Sequence, residues 1–376
     1  MMKIGIVTFF CVPNYGAMLQ AYALWEFLKA RGHEVEFVDY AFGNTQRIPL
    51  WKCFIFRHWS SCLHAIRKKL NMYVRFTITN FVVKFPRTRR LMNFDEALMI
   101  GKDFDAVIVG SDQMWNPAWC SGNYLPIVML DFAGVGVKRI SYAASFGTKE
   151  WRNEQNAREA SQLLRKFDAI SVREQSGVKL VQVLSGRDDA KWLLDPTLLH
   201  TAQFYQPLLS KSIQREYIFS YILDEWVKSE EICNVLETIK TVRGVSELRT
   251  DRTTVEGILA PISHVVGATG KVPVGEWLSL VSNANFVVTN SFHGTVFAVL
   301  FHKPFIAIPV EGSLSGMNER IESFLSLLQL GARMVSVRDI NAIENIASSV
   351  VDWDSVDAIL EAQRARTMRF FDTVGL

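Results

Sequence analysis

Thr289-Asn290-Ser291-Phe292-His293-Gly294-Thr295 gathers hydroxyls, an imidazole and a glycine into seven residues. The run lies between two apolar segments, Phe286–Val288 and Val296–Phe301, and Lys303-Pro304 then breaks the chain before Phe305–Ile308. This pattern predicts strand, polar turn, short helix and strand, the repeating unit of a parallel sheet. His293 is thereby expected at the carboxyl end of a strand and the mouth of a helix. Open α/β sheets take their ligands there, and helix amides attract anions. A histidine so placed can move protons or can merely cap the helix, and a single motif does not choose between the two.

Four more turns after expected strands carry polar residues of the same kind. They are Asn14-Tyr15-Gly16 with Gln20, Gly110-Ser111-Asp112-Gln113 with Trp115 and Asn116, Ser145 with Gly147, and Arg173 with Glu174. Each alone is ordinary turn chemistry, because Asn, Gly, Ser and Asp favour turns for backbone reasons. Four at equivalent ends of one sheet suit a sugar: Asp and Gln bind hydroxyls, and Trp or Tyr offers a flat apolar face. Asp112 can act as a base or cap its own turn. Arg173 points into a cleft or pairs with Glu174 or Asp168. Arg320 opens a helix expected over Met317–Leu328, where it either helps bind a small polyanion with Arg173 and Lys303 or pairs with Glu319 or Glu322.

These residues require a scaffold of alternating strands and helices. Strands are expected at Ile4–Thr8, Val35–Val38, Ala106–Val109, Arg139–Ala144, Ala169–Val172 and Tyr217–Tyr221. Helices are expected over Ala17–Ala30, Glu150–Lys166, Glu225–Val242, Trp277–Val281 and Asp354–Phe371. The fold class is α/β, as two Rossmann-like domains facing a central cleft. The first domain spans 1–195 and carries an insertion over 41–94. The second spans 196–350, and a C-terminal helix over 351–376 crosses back to the first.

At 376 residues the chain exceeds one ordinary core. Its five cysteines lack paired spacing and no Cys/His cluster accompanies them, which argues against a disulfide framework or a metal site. The first apolar run reads as a strand rather than a secretion signal, and no run is long enough to span a bilayer, so a cytoplasmic protein is expected. The net charge of +3 conceals an asymmetry: 41–94 holds 11 Lys or Arg and no acid, leaving 30 basic against 38 acidic residues elsewhere. That segment also carries Trp51, Phe54, Phe56, Trp59, Tyr73, Phe76, Phe81 and Phe85. It suits peripheral contact with an anionic membrane surface on the inner face of the cell membrane, or it packs its aromatics internally and solvates its charges. No nucleic-acid recognition motif accompanies it.

Six motifs in order give the chain a resemblance to the polysaccharide pyruvyl transferase family. They are Asn14-Tyr15-Gly16-Ala17-Met18-Leu19-Gln20-Ala21-Tyr22, Gly110-Ser111-Asp112-Gln113-Met114-Trp115-Asn116, Ser141-Tyr142-Ala143-Ala144-Ser145-Phe146-Gly147, Ser171-Val172-Arg173-Glu174, Leu194-Asp195-Pro196-Thr197 and Thr289–Thr295. The resemblance covers about Lys3 to Arg333 and does not extend to the basic insertion. It implies a fold similar to the GT-B glycosyltransferases. The implied reaction moves the pyruvyl group of phosphoenolpyruvate onto two hydroxyls of a sugar as a cyclic ketal, in bacterial capsule, exopolysaccharide or cell-wall polymer synthesis.

Under that resemblance His293 is the expected acid. Arg173, Ser291, Arg320 and, more weakly, Lys303 would hold phosphoenolpyruvate, while Asn14, Tyr15, Gly16, Gln20, Asp112, Gln113 and Trp115 would face the acceptor, lipid-linked or nucleotide-linked. Phosphoenolpyruvate is the donor substrate, and the scheme calls for no cofactor and no metal. The rival readings are a glycosyltransferase of the same fold using a nucleotide sugar, and a non-catalytic, membrane-peripheral component that binds glycan.

Overall fold

Two parallel sheets point their carboxyl ends at each other in the computed structural model, which describes residues 1–41, 80–118, 120, 122–151, 154–210, 215–223, 229–253 and 270–376. The first sheet contains β1 (Lys3–Val7), β2 (Glu34–Phe37), β3 (Ala106–Val109), β4 (Lys138–Ala144), β5 (Ala169–Val172) and β6 (Lys191–Trp192), in the order β2-β1-β3-β4-β5-β6. Every pairing is parallel. The second sheet contains β7 (Tyr217–Tyr221), β8 (Glu247–Thr250), β9 (Phe286–Thr289) and β10 (Phe305–Ala307), in the order β10-β9-β7-β8, again parallel throughout. In both, the strand order reverses beside the first strand of the domain, and such a switch point opens the crevice in which α/β sheets bind ligands.

Burial on both faces explains the unbroken apolar strands: all four residues of β3 and of β9 are buried. The helix α1 (Tyr15–Ala30) starts where the Asn14 side chain accepts from the Ala17 amide, and it ends near Gly32, whose φ of +85° disfavours any residue with a Cβ. Gln175–Ser185 forms a helix covering β5, and Ser229–Arg243 another in the second domain. The helix α2 (Phe292–Leu300) follows the turn of the opening motif and is buried along all nine residues. A helix apolar all round belongs inside a core, and this one lies between its own sheet and α1.

The last helix, α3 (Trp353–Val374), ties the two halves together. Its Phe371 ring lies 4.8 Å from both Phe27 and Tyr142, while Trp353 stacks on His302 at 5.0 Å. Among the described residues no helix is long and apolar enough to cross a membrane. Most of the basic insertion, 42–79, lies outside the described residues, and with it Arg67, Lys68 and Lys69. Of its aromatics Phe81 and Phe85 are described; Phe85 is buried and stacks on Phe37 at 5.2 Å.

Candidate functional site

At each switch point a side chain pins the two neighbouring turns. In the first sheet Thr8 Oγ1 donates to the Ser111 carbonyl at 2.9 Å and accepts from Gln20 Nε2 at 2.9 Å. In the second, Asn290 Oδ1 accepts from the Leu223 amide at 2.8 Å, and its Nδ2 donates to the Leu223 carbonyl at 3.3 Å. The two pinned points touch. A Cβ built on Gly16 would stand 2.0 Å from His293 Nδ1, so the imidazole from the second domain occupies the space a side chain at Gly16 would need.

The other ring nitrogen faces a buried aspartate. His293 Nε2 lies 3.5 Å from Asp195 Oδ2, an ion-pair distance too long for a strong hydrogen bond. The same oxygen accepts from Ser111 Oγ at 2.7 Å and from Arg173 Nη1 at 3.0 Å, while Oδ1 accepts from the Thr197 amide and hydroxyl at 2.9 and 2.6 Å. Burial opposes ionisation of Asp195, but the charges of His293 and Arg173 and the Thr197 hydroxyl together hold its carboxyl well below the usual carboxylate range. Arg173 also lies 4.4 Å from the centroid of the Phe292 ring, the residue next to the histidine. Arg173 Nε and Nη2, His293 Nε2 and Glu174 Oε2 are buried without a hydrogen-bond partner among the described residues. Such groups cost about 1–3 kcal/mol each, and four in one cluster indicate a place built for a polar ligand.

A second guanidinium stands beside the first. Burial and the charge of Arg173 bring Arg320 down to about 10, against the pull of Asp112 and Glu174. It remains a cation at neutral pH. With its amide oxygen turned inward, Gln113 accepts from Arg320 Nη1 and Nη2 at 2.9 and 3.2 Å. The surface pairing weighed for Arg320 is absent, because Lys149 of the first domain takes Glu319 at 2.8 Å and Glu322 at 3.2 Å. Arg173 likewise pairs with neither Glu174 nor Asp168. Glu174 accepts from Ser145 Oγ and the Gly147 amide, and Asp168 from the Arg139 amide.

The structure therefore brings His293, Arg173, Arg320, Gly16, Asp112 and Gln113 together and sends other candidates elsewhere. Trp115 is fully buried, packs on Phe146 and Phe167, and donates Nε1 to the Val128 carbonyl at 3.0 Å, so it offers no face to a sugar. Gln20 is sealed inside, bonded to Thr8 and Ala17. Tyr15 gives its hydroxyl to the Val272 carbonyl at 2.8 Å and stacks on Trp277 at 5.0 Å, joining the domains. Asn14 and Ser291 are helix caps, Ser291 Oγ accepting from the Gly294 amide at 3.4 Å. Asp112 adopts a φ of +78° and caps its own turn through the Gln113 amide at 2.8 Å. Lys303 follows the far end of α2, roughly 13 Å along the helix axis from His293, and burial lowers its ammonium. It does not belong to the anion site.

Asp195 is the residue that sequence reasoning left out of the site. Its place at the end of the first domain reads as a boundary; the available signal is its own motif, Leu194-Asp195-Pro196-Thr197, one of the six that carry the resemblance. Ser111 and Glu174 were noticed only as turn residues. Among the described residues no group of three or more His, Cys, Asp or Glu could hold a metal ion.

Comparison with known proteins follows the same lines. The sequence model of a family described as polysaccharide pyruvyl transferase matches residues 14–312, about four-fifths of the chain. No protein of curated function matches. Among solved structures, UDP-GlcNAc 2-epimerase from Methanocaldococcus jannaschii is similar at 10% identity and a TM-score of 0.49, covering 93% of each chain. The glycotransferase of kitacinnamycin gives 12%, 0.48 and coverage of 99% and 98%. A spinosyn rhamnosyltransferase gives 9%, 0.47 and coverage of 99% and 100%. None of the three reaches 0.5, so the two Rossmann-like domains stand on the sheets themselves.

Proposed function

This chain belongs to the polysaccharide pyruvyl transferase family, and from that premise we propose that it moves the pyruvyl group of phosphoenolpyruvate onto two hydroxyls of one sugar, releasing phosphate. The observation that carries this reading is the meeting of Arg173 and Arg320, one from each domain, beside an imidazole paired with a buried aspartate. Phosphoenolpyruvate bears a phosphate and a carboxylate, and two neighbouring guanidiniums, Arg173 with unused donors on Nε and Nη2, suit both groups.

His293, protonated on Nε2, delivers that proton to the methylene carbon of the enol phosphate. The resulting oxocarbenium-like centre is attacked by one sugar hydroxyl, whose proton passes to a base. Phosphate then departs with the electron pair of the C–O bond, its charge held by Arg173 and Arg320. A second hydroxyl closes the ketal and releases another proton. Asp195, whose Oδ2 lies 3.5 Å from Nε2, does not touch the substrate in this scheme; it orients the imidazole and balances the charge of the protonated ring.

The acceptor is a saccharide, nucleotide-linked or lipid-linked, of the kind used in capsule, exopolysaccharide or cell-wall polymer synthesis. A cytoplasmic enzyme working at the inner membrane face fits that role, with the basic segment 41–94 as its membrane contact. Co-sedimentation with anionic vesicles, lost on charge reversal at Arg67, Lys68 and Lys69, tests the contact. Phosphate release from phosphoenolpyruvate, assayed against lipid-linked and nucleotide-linked sugars, tests the reaction. Release that depends on the sugar and disappears in His293→Ala is expected. Sugar transfer from a nucleotide sugar without phosphoenolpyruvate would overturn it.

A further inference from the structure

The residues expected to receive the acceptor are mostly committed elsewhere, since Trp115 and Gln20 are sealed and the Tyr15 hydroxyl is spent on Val272. Across from Tyr15, at the carboxyl edge of the second sheet, stands a polar pair that the donor chemistry does not use. Asp251 follows β8, and Lys271 lies on a short strand, Gly270–Lys271, paired with Arg252–Thr253. Lys271 Nζ is 3.6 Å from Asp251 Oδ2 and 5.7 Å from the centroid of the Tyr15 ring.

Three features set this pair apart from a structural ion pair. Its separation exceeds the 2.7–2.9 Å usual for a tight ammonium–carboxylate contact. The Asp251 side chain is only 8% exposed against 33% for Lys271, so the carboxylate is withdrawn while the ammonium stays at the surface. Burial raises the Asp251 carboxyl above its ordinary value despite the opposing pull of Lys271, so the charge is held at a cost. Two buried rings, Tyr15 and Tyr221, link the pair to the reaction centre. The Tyr15 and Tyr221 rings meet edge to face at 5.9 Å, Tyr15 precedes the Gly16 that touches His293, and Tyr221 Cδ1 lies 3.1 Å from where a Cβ on Gly294 would stand.

We propose that Asp251 and Lys271 form the subsite for a hydroxyl of the acceptor sugar. A sugar hydroxyl donates one hydrogen bond and accepts another, and a carboxylate beside an ammonium supplies both partners. The acceptor is thereby assigned to the second domain, beside His293. This assignment rests on the pyruvyl-transfer reading.

Ligand-observed NMR on the full chain separates the two, with phosphoenolpyruvate and a mixture of methyl hexopyranosides as separate probes. The wild type is expected to bind both. Asp251→Asn and Lys271→Met should each weaken hexoside binding at least tenfold and leave phosphoenolpyruvate binding unchanged, while Arg320→Met should do the reverse. Hexoside binding untouched in both variants, or phosphoenolpyruvate binding lost with it, would overturn the subsite. So would a wild type that binds no hexoside. A wild type that binds hexosides through this pair but never phosphoenolpyruvate would overturn the donor reading and leave the subsite standing.

Discussion

Gly16 and His293 interlock across the two domains: a Cβ on Gly16 would fall 2.0 Å from Nδ1 and 2.3 Å from Cγ of the imidazole. The glycine matters here for its missing side chain, since it opens α1 inside the helix and not at a positive φ. Gly16→Ala must therefore displace the ring or part the domains. A shift of about 1 Å at a reacting group costs on the order of 10²-fold in rate, and that loss in kcat is expected. Because the clash is with the histidine side chain, whose Cβ would also lie 2.8 Å away, Gly16→Ala should add no further loss to His293→Gly. Independent, additive losses in the double variant would refute the interlock.

Asp195→Asn removes the charge from the centre of the cluster without changing its shape. It leaves Arg173 buried and unpaired, which is expected to cost about 3–5 kcal/mol in denaturant unfolding at neutral pH. The folded carboxyl titrates below its ordinary value, so its contribution is fully present above about pH 4, the unfolded carboxylate range, and fades as the pH falls through the lower folded value. Wild type should lose stability over that acid window more steeply than Asp195→Asn. Parallel stability curves would contradict the charge network.

The two arginines are expected to part company on substitution. Arg173→Met strips Asp195 of its buried partner and should unfold the first domain's edge of the site at lower denaturant. Arg320→Met removes a cation that is held at a cost beside Arg173, so the protein should keep its stability while KM for phosphoenolpyruvate rises by roughly one to two orders of magnitude, the share of a charge-assisted contact. Equal thermal losses in both variants would erase the distinction.

Much of this was legible in sequence because buried parallel strands write themselves as apolar runs. The segments Ala106–Val109, Ala169–Val172 and Tyr217–Tyr221 have the expected bounds, and the strands at Lys3–Val7 and Phe286–Thr289 differ by a residue. The edge strand β8, Glu-Leu-Arg-Thr, was missed because half its side chains face water and its charges mask the alternation. The amphipathic helix Gln175–Ser185 was missed beside the more conspicuous Arg173 and Glu174. In the site, charged residues at strand ends announced Arg173 and His293. Nothing local distinguishes Trp115, whose ring turns from the polar turn into the core, or Asp195, whose meaning comes from partners supplied by other strands and the other domain.

Asp251 offers a stability readout that separates a structural charge from one retained for binding. Its folded carboxyl titrates above the ordinary value, so the fold favours the neutral form; stability from this group is full below the unfolded value near pH 4 and declines as the pH rises through the folded one. Asp251→Asn removes the cost, and Lys271, one-third exposed, can turn to water. The variant should melt at or above the wild-type temperature at neutral pH, with the gap closing below about pH 4. A carboxylate whose removal stabilises the protein while weakening sugar binding is the trade expected of a functional group. A lower melting temperature for Asp251→Asn at neutral pH would instead mark the pair as a brace for the ribbon between Arg252–Thr253 and Gly270–Lys271.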